Sequence, residues 1–163
     1  MYRVISVVLV FVITGCSTGT SDTFISSNTD ILFVDQNGES LTNPNHPNAI
    51  TEENTEIYFL EDGSKKKIFK GHLDCPKMFC IEQGPKGKYY FSLHPNTESS
   101  NGKRVTYIKF ADATWDTVRV QLDSPGSSNK AVTKVWYNQK LRWDASNANP
   151  GNRGFTVTRK VKE

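Results

Sequence analysis

The chain has 163 residues, 36% of them hydrophobic and 23% charged, and its 20 lysines and arginines against 17 acids leave a formal net charge of only +3. That length suffices for one domain with its own core, and so small an excess of positive charge argues against a protein that holds nucleic acid by its phosphates. No stretch of eleven or more residues repeats apolar side chains at i, i+3, i+4 and i+7, which excludes a helical bundle.

At the start of the chain, Arg3 supplies a short positive region, Val4 to Ile13 form ten residues broken only by Ser6, and Thr14 and Gly15 are small residues of the kind a signal peptidase needs near its cut. A helix of that length spans about 15 Å, half of the ~30 Å hydrocarbon core, so residues 1–15 read as a removable export signal rather than a permanent span. Ile13-Thr14-Gly15-Cys16 resembles the lipobox of bacterial lipoproteins. The resemblance implies diacylglycerol on the Cys16 thiol, cleavage before Cys16, acylation of the new amine, and attachment to a membrane through that lipid. Each buried acyl CH₂ contributes ~0.8 kcal/mol, and lasting attachment needs more than one chain, which a triacylated cysteine supplies.

Residues 16–29, rich in Ser, Thr and Gly, cannot bury enough apolar surface to order themselves and read as a flexible tether. Ser17 beside the cysteine resembles the outer-membrane sorting preference of some Gram-negative lipoproteins, while the choice between a periplasmic and an outward orientation stays open. Loss of Arg3 with the signal lowers the bases from 20 to 19 against 17 acids, a mature net charge of +2.

Residues 30–163 then form one domain. Strands are expected at Ile31 to Val34, Glu56 to Glu61, Lys66 to Lys70, Lys88 to His94, Arg104 to Phe110, Asp116 to Leu122, Ala131 to Tyr137, Gln139 to Trp143 and Gly154 to Val161. After the first, Asp35, Asn37 and Glu39 superficially suggest a calcium loop. The glycine falls at the fourth position instead of the sixth and no acid stands at the twelfth, so Asn37-Gly38 reads as a hairpin turn. Asn43 to Asn48 come next as a rigid surface loop. Ile57-Tyr58-Phe59-Leu60 is apolar on both faces, as in a central strand or one covered on both sides. Asp62-Gly63 is a turn, and Lys65-Lys66-Lys67 begins a strand on the wet side of that hairpin.

With Cys16 assigned to lipid, Cys75 and Cys80 remain as a pair in a chain sent to an oxidising compartment, and a disulfide is the plain reading. Its six-residue loop would fix local structure only. Four residues between the cysteines do not fit a redox motif. A zinc site of His72, Cys75, Cys80 and His94 has loose spacing and needs free thiols.

Farther on, Val118, Val120 and Leu122 alternate with Trp115, Thr117, Arg119 and Gln121, as a half-buried antiparallel strand requires. Tyr89, Phe91 and Leu93 repeat the pattern, as do Phe155, Val157 and Val161. Asn101-Gly102, Ser124-Pro125-Gly126 and Asn149-Pro150-Gly151 supply further turns. The whole reads as an all-β antiparallel sandwich, immunoglobulin-like, of eight or nine strands. The segment Phe33 to Pro44, then Val135 to Leu141 and the closing Phe155 to Thr158, resembles the small β-sandwich lipoproteins of Bacteroides-type bacteria. This implies cell-envelope residence and a compact β domain, and carries no common activity and no functional residue.

Trp115, Trp136, Trp143, Tyr58, Tyr90, Tyr107 and Tyr137 are many rings for one domain. Inside a sandwich they are ordinary core, and we read them so with one exception: alternation turns Trp115 outward beside Arg119, and this pair is the candidate contact patch. No Gly-x-Ser-x-Gly elbow or His-Glu-x-x-His motif is present, and no cofactor pattern. The expected function is a non-enzymatic, membrane-anchored envelope lipoprotein that binds or supports a protein or glycan, with no role for nucleic acid. The alternative is a small envelope hydrolase using a carboxylate pair, or a metal held by His72 and His94. A clustered set of inward carboxylates would favour the hydrolase, and a continuous outer face bearing rings would favour the binding protein.

Overall fold

The computed structural model describes residues 25–100, 102–123, 130–147 and 153–161. The export signal, Cys16 and the first part of the tether lie outside these residues, as do Asn101 and the turns at Ser124-Pro125-Gly126 and Asn149-Pro150-Gly151.

The strands are β1 (Ile25–Ser26), β2 (Thr29–Val34), β3 (Glu56–Glu61), β4 (Ser64–Lys67), β5 (Phe79–Gln83), β6 (Tyr89–Leu93), β7 (Val105–Lys109), β8 (Trp115–Leu122), β9 (Lys130–Tyr137), β10 (Lys140–Asp144) and β11 (Phe155–Thr158). The one helical element among the described residues is a 3₁₀ turn at Pro85–Gly87. All nine expected strands form, with ends shifted by at most three residues, and β1 and β5 are additional. β1 and the first residue of β2 fall inside the 16–29 stretch read as tether, so the ordered domain begins earlier than residue 30.

One sheet runs β1-β9-β8-β7-β3-β4, with β10 sharing the outer edge of β9, and the other runs β11-β2-β6-β5. Most pairings are antiparallel, but β1 lies parallel to β9 and β11 parallel to β2, which alternation within single strands does not encode. The chain crosses between sheets after β1, β2, β4, β6 and β10. The sheets pack face to face as the expected all-β sandwich. Ile31, Phe33, Phe79, Phe91 and Leu93 from the smaller sheet meet Ile57, Ile108, Val118, Val135 and Tyr137 from the larger one in a single core. Phe33 stands edge-on to Phe91 at 5.4 Å and to Phe110 at 5.6 Å, locking the layers through ring geometry as well as area.

Turn chemistry sets the registers. Asp62 and Gly63 both take positive φ, 48° and 79°, the two-residue turn that matches strand twist, and it fixes Tyr58 opposite Lys67 and Leu60 opposite Lys65. The lysine run therefore forms β4, a fully exposed edge strand whose charge discourages pairing with another chain. Asn138 and Gln139 make the corresponding turn between β9 and β10. Asn138 Oδ1 accepts the Thr117 N–H at 2.8 Å and its Nδ2 donates to Asp116, so this turn is stapled to β8.

Candidate functional site: the outer face of the larger sheet

The clean alternation of β8 survives folding. Val118, Val120 and Leu122 are buried, and Trp115, Thr117, Arg119 and Gln121 face outward. The neighbouring strands add Val105, Tyr107 and Lys109 from β7, Glu56, Tyr58 and Leu60 from β3, and Lys65 and Lys67 from β4 to the same face. Register places Tyr107 between Thr117 and Tyr58, Lys109 between Trp115 and Glu56, and Arg119 between Val105 and Trp136.

Trp115 is 40% exposed. Its ring lies 5.0 Å from that of Tyr58, and the Lys65 ammonium bridges two rings, 4.3 Å from the Trp115 centroid and 4.4 Å from that of Tyr107. Four strand positions along β8, the Arg119 guanidinium lies 4.0 Å over the Trp136 ring. The two predicted patch residues thus share a face without touching, roughly 13 Å apart along the strand. Each anchors its own pairing of cation with ring. Beside Arg119 a cleft of about 360 Å³ is lined by Arg119, Trp136, Tyr107, Thr117, Val105, Lys103 and Gln139. Leu141, opposite Trp136 and exposed, extends the face beyond β9.

The reading of the rings as core is corrected for four of them. Tyr137 and Trp143 are buried, whereas Tyr58, Tyr107 and Trp136 are half-buried on the outer face with Trp115, and Tyr90 is half-buried in the smaller sheet. The apolar outer side of β3 is accordingly covered, by Lys65, Lys67 and Trp115 rather than by a third layer.

Glu56 is the single carboxylate among the outward residues of β3, β4, β7 and β8. It accepts hydrogen bonds from Lys67 Nζ, from the Tyr58 hydroxyl at 2.8 Å and from Lys109 Nζ at 3.3 Å. The bonds from Lys67, Tyr58 and Lys109, in that order, hold its carboxyl down at about 2. The same bond to Glu56 raises the Tyr58 phenol. Arg119 and Lys65 have no carboxylate partner among the described residues.

Cys75 and Cys80 are disulfide-bonded, with Cα atoms 5.4 Å apart, so neither thiol is available to zinc. The bridge closes the loop ahead of β5, where the Lys70 N–H donates to the Pro76 carbonyl and the His94 N–H to that of Met78. His72 and His94 belong to no group of three metal-ligating side chains among the described residues. The one such group there is Asp35, Glu39 and His46. It stands on the expected turn: Asp35 Oδ1 accepts the backbone N–H groups of Asn37 and Glu39, and Gly38 has φ +85°. Burial pushes the Asp35 carboxyl up, but these donors outweigh it and hold the group below the usual carboxylate range. His46 Nδ1 accepts the Asn48 N–H at 3.1 Å, which puts the imidazole proton on Nε2, the nitrogen facing the carboxylates. A nitrogen carrying a proton has no lone pair for a metal, and the group reads as a loop fastening.

The buried carboxylate Asp116 is also fully engaged. It accepts from the Tyr137 hydroxyl, Asn138 Nδ2 and Arg159, while the Arg159 guanidinium lies 3.6 Å over Phe110. Burial, then the charge of Asp116 and its hydrogen bond, push the Tyr137 phenol far up, so it stays a donor. This network ties β11's exit to β8 and β9 and commits Asp116 to that fastening.

No protein-family model matches the chain, and no curated protein and no solved structure is significantly similar to it.

Proposed function

We propose that the chain is a lipid-anchored envelope protein without catalytic activity, whose sandwich domain binds a partner, protein or glycan, through the outer face of its larger sheet. The ITGC sequence ending at Cys16 supports the anchor and the envelope setting. The observation that carries the binding role is the continuity of the face: four rings, Tyr58, Tyr107, Trp115 and Trp136, lie on four adjacent strands with cations set over three of them. Half-exposed rings held rigidly by strands supply contact area at little entropic cost, and so ordered an arrangement exceeds what solubility needs.

Cosedimentation of the detergent-extracted protein with a washed, delipidated envelope preparation tests the reading. The double variant Trp115→Ala, Arg119→Ala should fold and lose retention. Retention equal to the wild type would remove the face from the binding role.

A further inference from the structure

We infer that this face takes an acidic glycan, a chain of sugars carrying carboxylates, laid along β8 from Arg119 to Trp115. The inference rests on the proposed binding role of the face and names its ligand class. Three features point the same way.

The charge is one-sided. On β3, β4, β7 and β8, Lys65, Lys67, Lys109 and Arg119 face outward against Glu56 alone, which is committed to Lys67 and Lys109, and Asp144 at the far edge is paired with Lys134. Lys65 and Arg119 are left to rest on rings, a placement in which an ammonium or guanidinium keeps its donors directed at solvent. The planar Arg119 fork, stacked and so already ordered, suits bidentate pairing with a carboxylate. The ligand is therefore an anion.

The rings are platforms rather than pockets. They lie on the outer face of a sheet, and the negative face of an aromatic ring receives the weakly positive C–H face of a pyranose. Lys65 overlies both Trp115 and Tyr107, and its long stem can swing aside to meet an acidic substituent while uncovering the indole. An acidic peptide, by contrast, would need an apolar pocket for its anchor residue, and the cleft beside Arg119 carries Lys103, Thr117, Arg119 and Gln139 among its seven lining residues. A lipid surface would need rings projecting from loop tips, whereas all four of these are held within strands, with the Glu56 carboxylate on the same face.

The spacing matches an extended chain. Arg119 and Trp115 stand roughly 13 Å apart on one strand with Thr117 between them, so one end of an oligosaccharide meets the guanidinium as the other stacks on the indole.

The test uses the full detergent-solubilised chain and follows tryptophan fluorescence during titration with oligogalacturonate, a neutral galactan oligosaccharide of equal length, polyglutamate, and phosphatidylglycerol added to the micelles. Oligogalacturonate should bind, more weakly as salt rises, and the neutral oligosaccharide should not. Arg119→Ala and Trp115→Ala should each weaken binding roughly tenfold, the scale of one charge-assisted hydrogen bond or one ring contact. Stronger binding of polyglutamate, an Arg119-dependent response to phosphatidylglycerol in place of the sugar, or oligogalacturonate affinity untouched by Arg119→Ala would each overturn the inference. If oligogalacturonate fails while envelope retention still depends on Trp115 and Arg119, the glycan assignment falls and the binding face stands; if both fail, both fall.

Discussion

The guanidinium of Arg119 lies 4.0 Å over the ring of Trp136, the residue directly opposite it across the β8–β9 ladder. One pairing register therefore sets both the exposure of the cation and the shielding of the ring. Lys65 reaches Trp115 differently, from β4 across β3 and β7, while its own register partner is Leu60, so that end of the face depends on the lysine's long stem as well as on strand pairing.

Core and surface on β8 separate in a pair of substitutions. Val120 is 4% exposed, and Val120→Asp buries an unpaired charge, which should cost several kcal/mol, about 3 or more, and abolish cooperative unfolding at ordinary temperature. Trp115→Ala removes the tilted ring contact with Tyr58 and should cost only about 1 kcal/mol, read as a melting temperature lower by a few degrees. Unfolding by Trp115→Ala would mean that Trp115 supports the core.

Acid sensitivity should trace in part to Glu56. Its folded-state value of about 2 lies below the ordinary 4.5, so its stabilising contribution is complete above 4.5 and is lost as pH falls toward 2. Melting temperatures of the wild type and Glu56→Gln across that window should converge toward the acid end. Equal differences at pH 2 and pH 6 would show that the carboxylate's charge is not what Lys67 and Lys109 hold.

The Cys75–Cys80 bridge should leave no thiol to alkylate without reductant. Replacing both by serine should cost about 2 kcal/mol, the loop-closure entropy of so short a ring. Because the bridge ties β5 of the smaller sheet to the loop before it, away from the outer face of the larger sheet, envelope retention should be unchanged.

Gln139 holds φ +67° at the edge of the Arg119 cleft, a conformation that favours glycine. Gln139→Gly should raise stability by about 1 kcal/mol in urea unfolding. Asn138→Ala should lower it, because the Thr117 N–H and Asp116 each lose a partner. A stability loss in Gln139→Gly would mean that its side chain supports the turn.

At the other end of the chain, Cys16→Ser should block processing and leave the export signal attached. Mass spectrometry of the wild type should find an acylated Cys16 as the first residue, and an unacylated mature terminus would rule out the lipid anchor.

Trp115 was legible in the sequence because β8 alternates without interruption for its whole length. Its ring partners were not, each for a physical reason. Tyr58 belongs to a strand apolar on both faces, where parity assigns neither side. Around β7, Val105 and Tyr107 share one face with Lys109 while Ile108 and Phe110 share the other with Thr106, so each parity holds two apolar residues and one polar. Trp136 lies beyond a register shift opposite Gln121 and Leu122, so Val132 and Val135, three positions apart, both point inward and a period of two carried on from Val132 assigns Trp136 to the core. β5 went unseen because its first two residues, Phe79 and Cys80, belong to the loop that the disulfide closes. β1 went unseen because its two residues lie in a polar run and pair in parallel with a strand about a hundred residues away. His46 closing onto the Asp35 turn is a contact between loops, which no local pattern announces.

The most direct measurement tracks the three tryptophan indole N–H resonances while the domain is titrated with soluble fragments of the envelope preparation. Trp143 is buried at 8% exposure and serves as the internal reference, while Trp115 and Trp136 report the two ends of the face. Binding through this face predicts shifts at Trp115 and Trp136 that saturate together, with Trp143 unmoved. Binding that leaves Trp115 and Trp136 in place, or that shifts Trp143 alone, would put the contact elsewhere on the sandwich and contradict the proposed face.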